Sequence, residues 1–236
     1  MTGPDVASGW PKKIAELTPD QKAISEDFYQ HWLTVLPQRF SIIESFNHSY
    51  PLRSYFSNAR TLEIGAGVGA HLHFEDLKSQ EYVTIELRAD LADALRQKFP
   101  SVKTIVGDCQ ERIGYPDSYF DRALAIHVLE HLPDLPSALD QVLRVLKPGG
   151  QFSVVIPCDP GLAYSLARNI SARRIFEKRY NQSYDWFIKS EHINTPAEIV
   201  GELKKRFSVV HRSYFPLVVP CNDINLVTGL TLRKMS

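Results

Sequence analysis

The chain has 236 residues, 44% hydrophobic and 23% charged, which fits one folded domain with a small appended cap and excludes a disordered chain. Its 27 Lys+Arg balance its 27 Asp+Glu, and this formal net charge of +0 excludes a chain-wide bias toward nucleic acid or anionic membrane. Three well-separated cysteines, Cys109, Cys158 and Cys221, form no Cys-x-x-Cys pair and exclude a zinc knuckle or redox couple of that type.

In chain order, residues 1–19 carry Pro4, Pro11 and Pro19 and read as a loose arm. It has no apolar h-region, and no later run approaches roughly 18 apolar residues, so a cytoplasmic protein without a membrane span is expected. Residues 20–58 place apolar side chains three and four apart and read as helix, broken at Pro37 and Pro51. From residue 60 the period changes. TLEIGAG, YVTIEL, VKTIVGD, YFDRALAIHV and QFSVVIP read as strands. They alternate with helices expected over AHLHFEDLK, LADALRQKF and LPSALDQVLRVLKPGG. Residues 157–195 interrupt this rhythm with an aromatic, basic stretch. TPAEIVGELKKRF then resumes as a helix capped by Thr195, with Pro196 at its first position. SVVHRSYFP and INLVTGLTLRK close the chain as two strands, antiparallel because the link between them is too short for a crossover helix. The rhythm predicts an α/β fold, with a mostly parallel sheet covered by helices on both faces.

LEIGAGVGAHL follows a strand and opens a helix, and its glycines allow a tight turn and close approach to a ligand. Glu86 closes the next strand, where a carboxylate can accept both hydroxyls of an adenosine ribose. GAGVGA alone also satisfies the looser dinucleotide pattern of NAD-type oxidoreductases. Two carboxylates argue against that reading. Glu63, inside the first strand, would repel a pyrophosphate and suits a cationic amino-acid tail; Asp108, after the third strand, can accept an adenine amino group.

LEIGAGVG, VTIEL, VGDCQE, FDRALAIHVLEHLPD and LRVLKPGGQFSVVIP, taken in order, resemble the class I S-adenosylmethionine-dependent methyltransferases, most closely their type 11 small-molecule branch, over residues 60–157. The resemblance implies a Rossmann-like, doubly wound seven-stranded sheet with an antiparallel last strand. It implies S-adenosyl-L-methionine as cofactor, lined at its methionine end by Glu63, Gly65, Ala66 and Gly67. Glu86 would hold the ribose and Leu87 would pack near the adenine. Asp108 and the Cys109 backbone N–H would meet the ring, and His127 would face the methyl group. On this reading the chain divides into a helical cap (1–58), a cofactor-binding core (59–157), a lid on the acceptor side (158–195) and a C-terminal helix with the last two strands (196–236).

His127-Val-Leu-Glu-His131 also spells the H-x-x-E-H string of some zinc peptidases, which requires both histidines on one helical face. Here the preceding residues read as a strand and the next helix starts near Pro136, with Asp134 close to its N-cap. The two histidines therefore straddle a strand end and a loop, and no metal is expected. For a hydroxyl acceptor, His127 or the lid's His192 can serve as general base. In the lid, Arg168, Arg173, Arg174, Lys178 and Arg179 face only Glu177 in RNISARRIFEKR, a local +4. Arg173 and Arg174, with Tyr184 and Trp186, are therefore the candidates for holding an anionic acceptor against the plainer reading of a solvated face and a packing core. The expected function is methyl transfer to O or N of a small, including anionic, metabolite such as a sugar, saccharide precursor or secondary metabolite, by a monomer or homodimer with no nucleic-acid partner. The alternative is a protein that binds S-adenosylmethionine or S-adenosylhomocysteine without methyl transfer.

Overall fold

The computed structural model describes residues 9–39 and 41–235, so the first eight residues of the expected arm lie outside the described residues. A single sheet carries strands β1 (Arg60–Ile64), β2 (Glu81–Glu86), β3 (Lys103–Val106), β4 (Phe120–Ile126), β5 (Leu146–Pro157), β6 (Phe207–Phe215) and β7 (Val227–Lys234), in the order β3-β2-β1-β4-β5-β7-β6. β7 runs antiparallel to both its neighbours, β5 and β6, while β1 to β5 pair in parallel. The order reverses at β1, and β1 and β4 lie side by side at this switch point, where open α/β sheets bind ligands beyond the carboxyl ends of their strands.

Residue alternation assigns the two faces. Leu62, Ile64, Ala123, Ala125, Phe152 and Val154 point into the main core, covered by α4 (Leu135–Val145) and α8 (Pro196–Arg206). Tyr82 and Leu124 point the other way, against Leu95 and Phe99 at the end of α3 (Ala89–Lys98). Farther along that face, Val155 and Val227 pack with Tyr50 and with Ile43 and Phe46 of α2 (Ser41–Ser49). Both ends expected for α8 and α4 are built from local chemistry. Thr195 and Glu198 form a reciprocal capping box, and Asp134 accepts from Ser137 N at 3.2 Å. The helix over LPSALDQVLRVLKPGG stops earlier than expected, at Val145, because Leu146 already pairs with Phe120 as the start of β5.

Two expectations fail. α1 spans Pro19–Arg39 and is not broken at Pro37. Proline at this position costs the helix one N–H···O=C bond, with only two residues of helix beyond it to disturb. AHLHFEDLK is not a helix either: only His71–His73 turn, as a 3-10 segment. The cause is Arg122 in the middle strand β4, fully buried, which requires a carboxylate partner. Glu75 turns inward to it at 2.8 Å, accepts from Gln80 Nε2 at 2.9 Å and meets His71 Nε2 at 2.7 Å, and this inward turn replaces the helical register.

Gly69 closes the turn after β1 at φ +75°, and a Cβ there would come within 2.6 Å of Leu95 Cδ2 and 2.7 Å of Phe99 Cε2. Gly69→Ala is expected to lose about 2 kcal/mol, from the left-handed backbone and the overpacking together. Urea denaturation checks this; an unchanged midpoint would show that the turn relaxes freely.

Candidate active site

Strand register assembles the site. Ile64 lies beside Ile85, Glu86 beside Val106 and Ile64 beside Ala125, so Gly65, Glu86, Asp108 and His127 all emerge at one edge of the sheet. The first turn needs glycine twice for different reasons. Gly65 has φ +66°, and a Cβ on it would lie 2.5 Å from Val128 Cγ2, so the loops after β1 and β4 pack closely only without a side chain there. Gly67 has φ +56° and, among the described residues, no neighbour nearer to its Cβ position than the Tyr29 hydroxyl at 3.9 Å, which leaves room for a ligand to approach the backbone.

Glu86 is held at the tip of β2 by two backbone donors: Gly67 N–H to Oε2 at 2.8 Å and Arg88 N–H to Oε1 at 3.0 Å. A carboxylate offers about four acceptor positions, so lone pairs remain for two ribose hydroxyls. Leu87, beside it, is 67% exposed and offers an apolar surface. Asp108 accepts from Gln110 N at 2.8 Å and from Gln110 Nε2, so its carboxylate shapes its own turn. The Cys109 thiol is buried, and burial together with the Asp108 charge pushes it up to about 12, so it is a packed thiol rather than a thiolate nucleophile. Ala66 is buried against Leu72 and Leu95. Glu63 is also buried and accepts from Tyr82 Oη at 2.9 Å; burial raises its pKa against the opposing pull of His71 and the Tyr82 bond.

One residue at this edge has no signature in the sequence. α1 lays Tyr29 over the turn, next to Gly67 and under the Arg88 guanidinium, 4.8 Å from the ring centroid, while Arg88 reaches back to Glu26 at 2.7 Å. Burial, and then the Glu86 charge, raise the Tyr29 hydroxyl pKa, so it stays protonated and able to donate. A tyrosine in an unremarkable helical run carries no motif that would single it out.

Beyond β4 the backbone turns sharply: His127 has φ +53° and donates its N–H to Val155 O at 2.9 Å. His127 Nδ1 lies 3.3 Å from Oε1 of Glu130, which is buried in the 3-10 turn Leu129–His131. His127 and His131 therefore do not share an α-helical face. The lid folds onto this loop. It consists of α5 (Leu162–Ile170), α6 (Ala172–Tyr180) and α7 (Tyr184–Glu191). At its exit, Ile193 N and Asn194 N both donate to Glu130 O at 3.0 Å, and Asn194 Nδ2 bridges Leu129 O and Leu132 O. This clamp sets His192 beside Glu130 and His131, with His192 Nδ1 2.8 Å from Asp159 Oδ2. Burial alone would raise the Glu130 carboxyl. The His127 hydrogen bond and the nearby His131 and His192 outweigh it and hold the group down to about 2.

The expected anion patch is not assembled. Arg173 is turned to Asp185 and Glu177, Arg168 to Asp159, and Arg179 to Asp27 on α1. Folding sets Asp159, Asp185 and Asp27 against three of the five basic side chains, leaving Arg174 and Lys178 exposed. Tyr184 and Trp186 belong to the lid's own core with Phe176 and Phe28; the Phe28 ring lies 5.1 Å from that of Phe176. The stretch thus packs against α1, with Tyr184 and Trp186 in that packing and Arg173 held by Asp185 and Glu177.

Residues 62–154 match the family described as "Methyltransferase domain". Sterol 4-C-methyltransferase strm-1 of Caenorhabditis elegans is 33% identical over 104 residues, 41% of this chain and 30% of that protein. A fatty-acid O-methyltransferase of Mycolicibacterium smegmatis is 28% identical over 118 residues, 48% of this chain and 42% of that protein. The chain thus spans less than half the length of these curated relatives. Among solved structures, N-methyltransferase NodS from Bradyrhizobium japonicum WM9 in complex with S-adenosyl-L-homocysteine superposes with a TM-score of 0.63 at 13% identity, over 91% of this chain and 98% of that one. At that identity the likeness is one of fold. Among the described residues no helix is long and apolar enough to cross a membrane. Residues 62–154 are thus similar to the methyltransferase domain family, and the sheet order is the fold shared with solved structures of S-adenosylmethionine-dependent methyltransferases.

Proposed function

We propose that this chain transfers a methyl group from S-adenosylmethionine to a small-molecule acceptor. The observation that carries the reading is the Glu86 carboxylate, fixed at the tip of β2 by Gly67 N–H with acceptor positions to spare. When bound, the cofactor supplies an electrophilic methyl on a cationic sulfur together with its own leaving group. The chain supplies position and dryness. Glu86 accepts the ribose hydroxyls, and Asp108 and the Cys109 N–H meet the adenine over Leu87. Gly65, Ala66 and Gly67 let the backbone approach, and Glu63 supplies negative charge toward the ammonium end. Tyr29 on α1 and the lid cover the opening and exclude water. In-line placement of the acceptor is the main contribution, worth up to about 7–11 kcal/mol in favourable cases. His127, oriented by Glu130, takes the proton where the acceptor is a hydroxyl, and His192 is the second candidate; a neutral amine needs less help.

The relatives named above act, by their names, on carbon, oxygen and nitrogen acceptors, so they do not single out the acceptor atom. With Arg173 engaged by Asp185 and Glu177, an acceptor carboxylate or phosphate is not a requirement of this site. The test is calorimetric titration with S-adenosylhomocysteine, with NAD⁺ as control. Micromolar binding of the first and none of the second is expected. A response to NAD⁺ alone would overturn the reading.

A further inference from the structure

Glu130, His131 and His192 place one ligand atom each within 4.8 Å of one another, a cluster that draws on the β4 loop and on the far end of the lid. The hydrogen bonds around it are those of a prepared metal site. His131 Nδ1 lies 2.7 Å from Glu191 O, and a backbone carbonyl only accepts, so Nδ1 carries the proton and Nε2 keeps its lone pair. His192 Nδ1 lies 2.8 Å from the Asp159 carboxylate, which also accepts from Arg168; a donor Nδ1 leaves Nε2 free to ligate. Ligating histidines are commonly oriented in this way, with one nitrogen donating to a carbonyl or carboxylate and the other facing the ion. The carboxylate completes the argument: the Glu130 side chain is 1% exposed, its Oε1 lies 3.8 Å from His131 Nε2 and 3.3 Å from His127 Nδ1, and its Oε2 has no hydrogen-bond partner among the described residues. A buried, unpaired carboxylate oxygen is costly unless a cation is present to meet it.

We propose that Glu130, His131 and His192 bind a divalent first-row transition-metal ion, zinc foremost. Two imidazoles and one carboxylate suit such an ion, and three protein ligands leave a fourth position open. With bonds of about 2.0–2.2 Å, tetrahedral ligand atoms sit about 3.4 Å apart, so the side chains close in by roughly 1 Å through small rotations. The His131 side chain is 36% exposed, which gives the ion an entry path and a position for an outside oxygen or nitrogen ligand. With the ion bound, His192 is a ligand and His127 remains the proton acceptor. The ion also ties the lid to the β4 loop, so it couples lid closure to the site. This is a different set from the one the H-x-x-E-H string suggests: His192 replaces His127, and it comes from the lid rather than from the string.

The experiment is calorimetric titration of the metal-stripped, tag-free full chain with Zn²⁺, in the absence of any cofactor. Its outcome is thus independent of whether S-adenosylhomocysteine binds. One equivalent is expected to bind with a micromolar or tighter Kd. His192→Ala and Glu130→Gln should each weaken binding about 100-fold or more, whereas His73→Ala, at an exposed position outside the cluster, should not change it. Co²⁺ in place of Zn²⁺ should give visible ligand-field bands in the parent that disappear in His192→Ala. Because Glu130→Gln removes a buried charge, its fold is checked by circular dichroism, and His131→Ala serves as the replacement if it fails to fold. Absence of stoichiometric binding, or binding that survives His192→Ala, overturns the proposal.

Discussion

Replacing Arg122 by alanine is expected to lower the unfolding free energy by about 3–5 kcal/mol and the thermal midpoint by about 10 °C. The size follows from what the guanidinium holds. Nε donates to Ser54 Oγ at 2.9 Å, and Nη2 donates to Pro51 O at 2.8 Å and lies 2.8 Å from Glu75 Oε1. One side chain on the central strand thus joins the 3-10 turn Tyr50–Ser54 to the segment after the glycine turn. Removing it leaves Glu75 buried and short of its main counter-charge, which costs far more than the net worth of the pair. Arg122→Met combined with Glu75→Gln is expected to recover most of the loss. A double-mutant cycle in urea reads the coupling. A loss below about 1 kcal/mol for Arg122→Ala would show that the network is incidental. The pH dependence has a definite sign. Burial pushes the Glu75 carboxyl up, but the hydrogen bonds and charges of His71 and Arg122 outweigh it and hold it at about 2, below its ordinary 4.5. Its contribution is therefore present above pH 4.5 and is lost as the pH falls from there toward 2. In Arg122→Ala that acid-dependent loss should shrink.

Glu86→Ala is expected to weaken S-adenosylhomocysteine binding about 100-fold or more while leaving the fold intact. Two charge-assisted hydrogen bonds to the ribose are each worth about 1.5–3 kcal/mol, so their joint loss reaches that range. Part of the effect passes through the free protein, because Glu86 also accepts Gly67 N–H and Arg88 N–H and so fixes the turn itself. Glu86→Gln separates the two contributions. The amide oxygen keeps one acceptor for a backbone N–H, so the turn is partly retained, yet the bidentate carboxylate is gone. Affinity near the parent value in both variants would remove Glu86 from the ribose assignment.

The sheet was legible because its strands are short β-branched runs separated by helical periods, and burial on both faces permits little else. The edge of the site was legible for the same reason: in a parallel sheet, residues at strand ends line up once the strands are in register, so Gly65, Glu86, Asp108 and His127 follow from four separate runs. Arg122 is also legible in part, since an arginine inside the apolar run RALAI of a central strand must find a buried partner. That partner, Glu75, is what unmakes the helix expected over AHLHFEDLK.

The sequence by itself determined the fold class, the glycine turn, the acidic strand ends and the caps of α4 and α8, because each depends on neighbours within a few residues or on simple periodicity. Only the tertiary structure decided what became of charge and of histidine. The lid's arginines look like an anion patch until Asp27, Asp159 and Asp185 fold against them. His131 and His192 share no local pattern, yet the Asn194 clamp sets them beside one buried carboxylate. Electrostatic partners act through space over a few ångströms, whatever their separation along the chain, and no local pattern in the sequence records that distance.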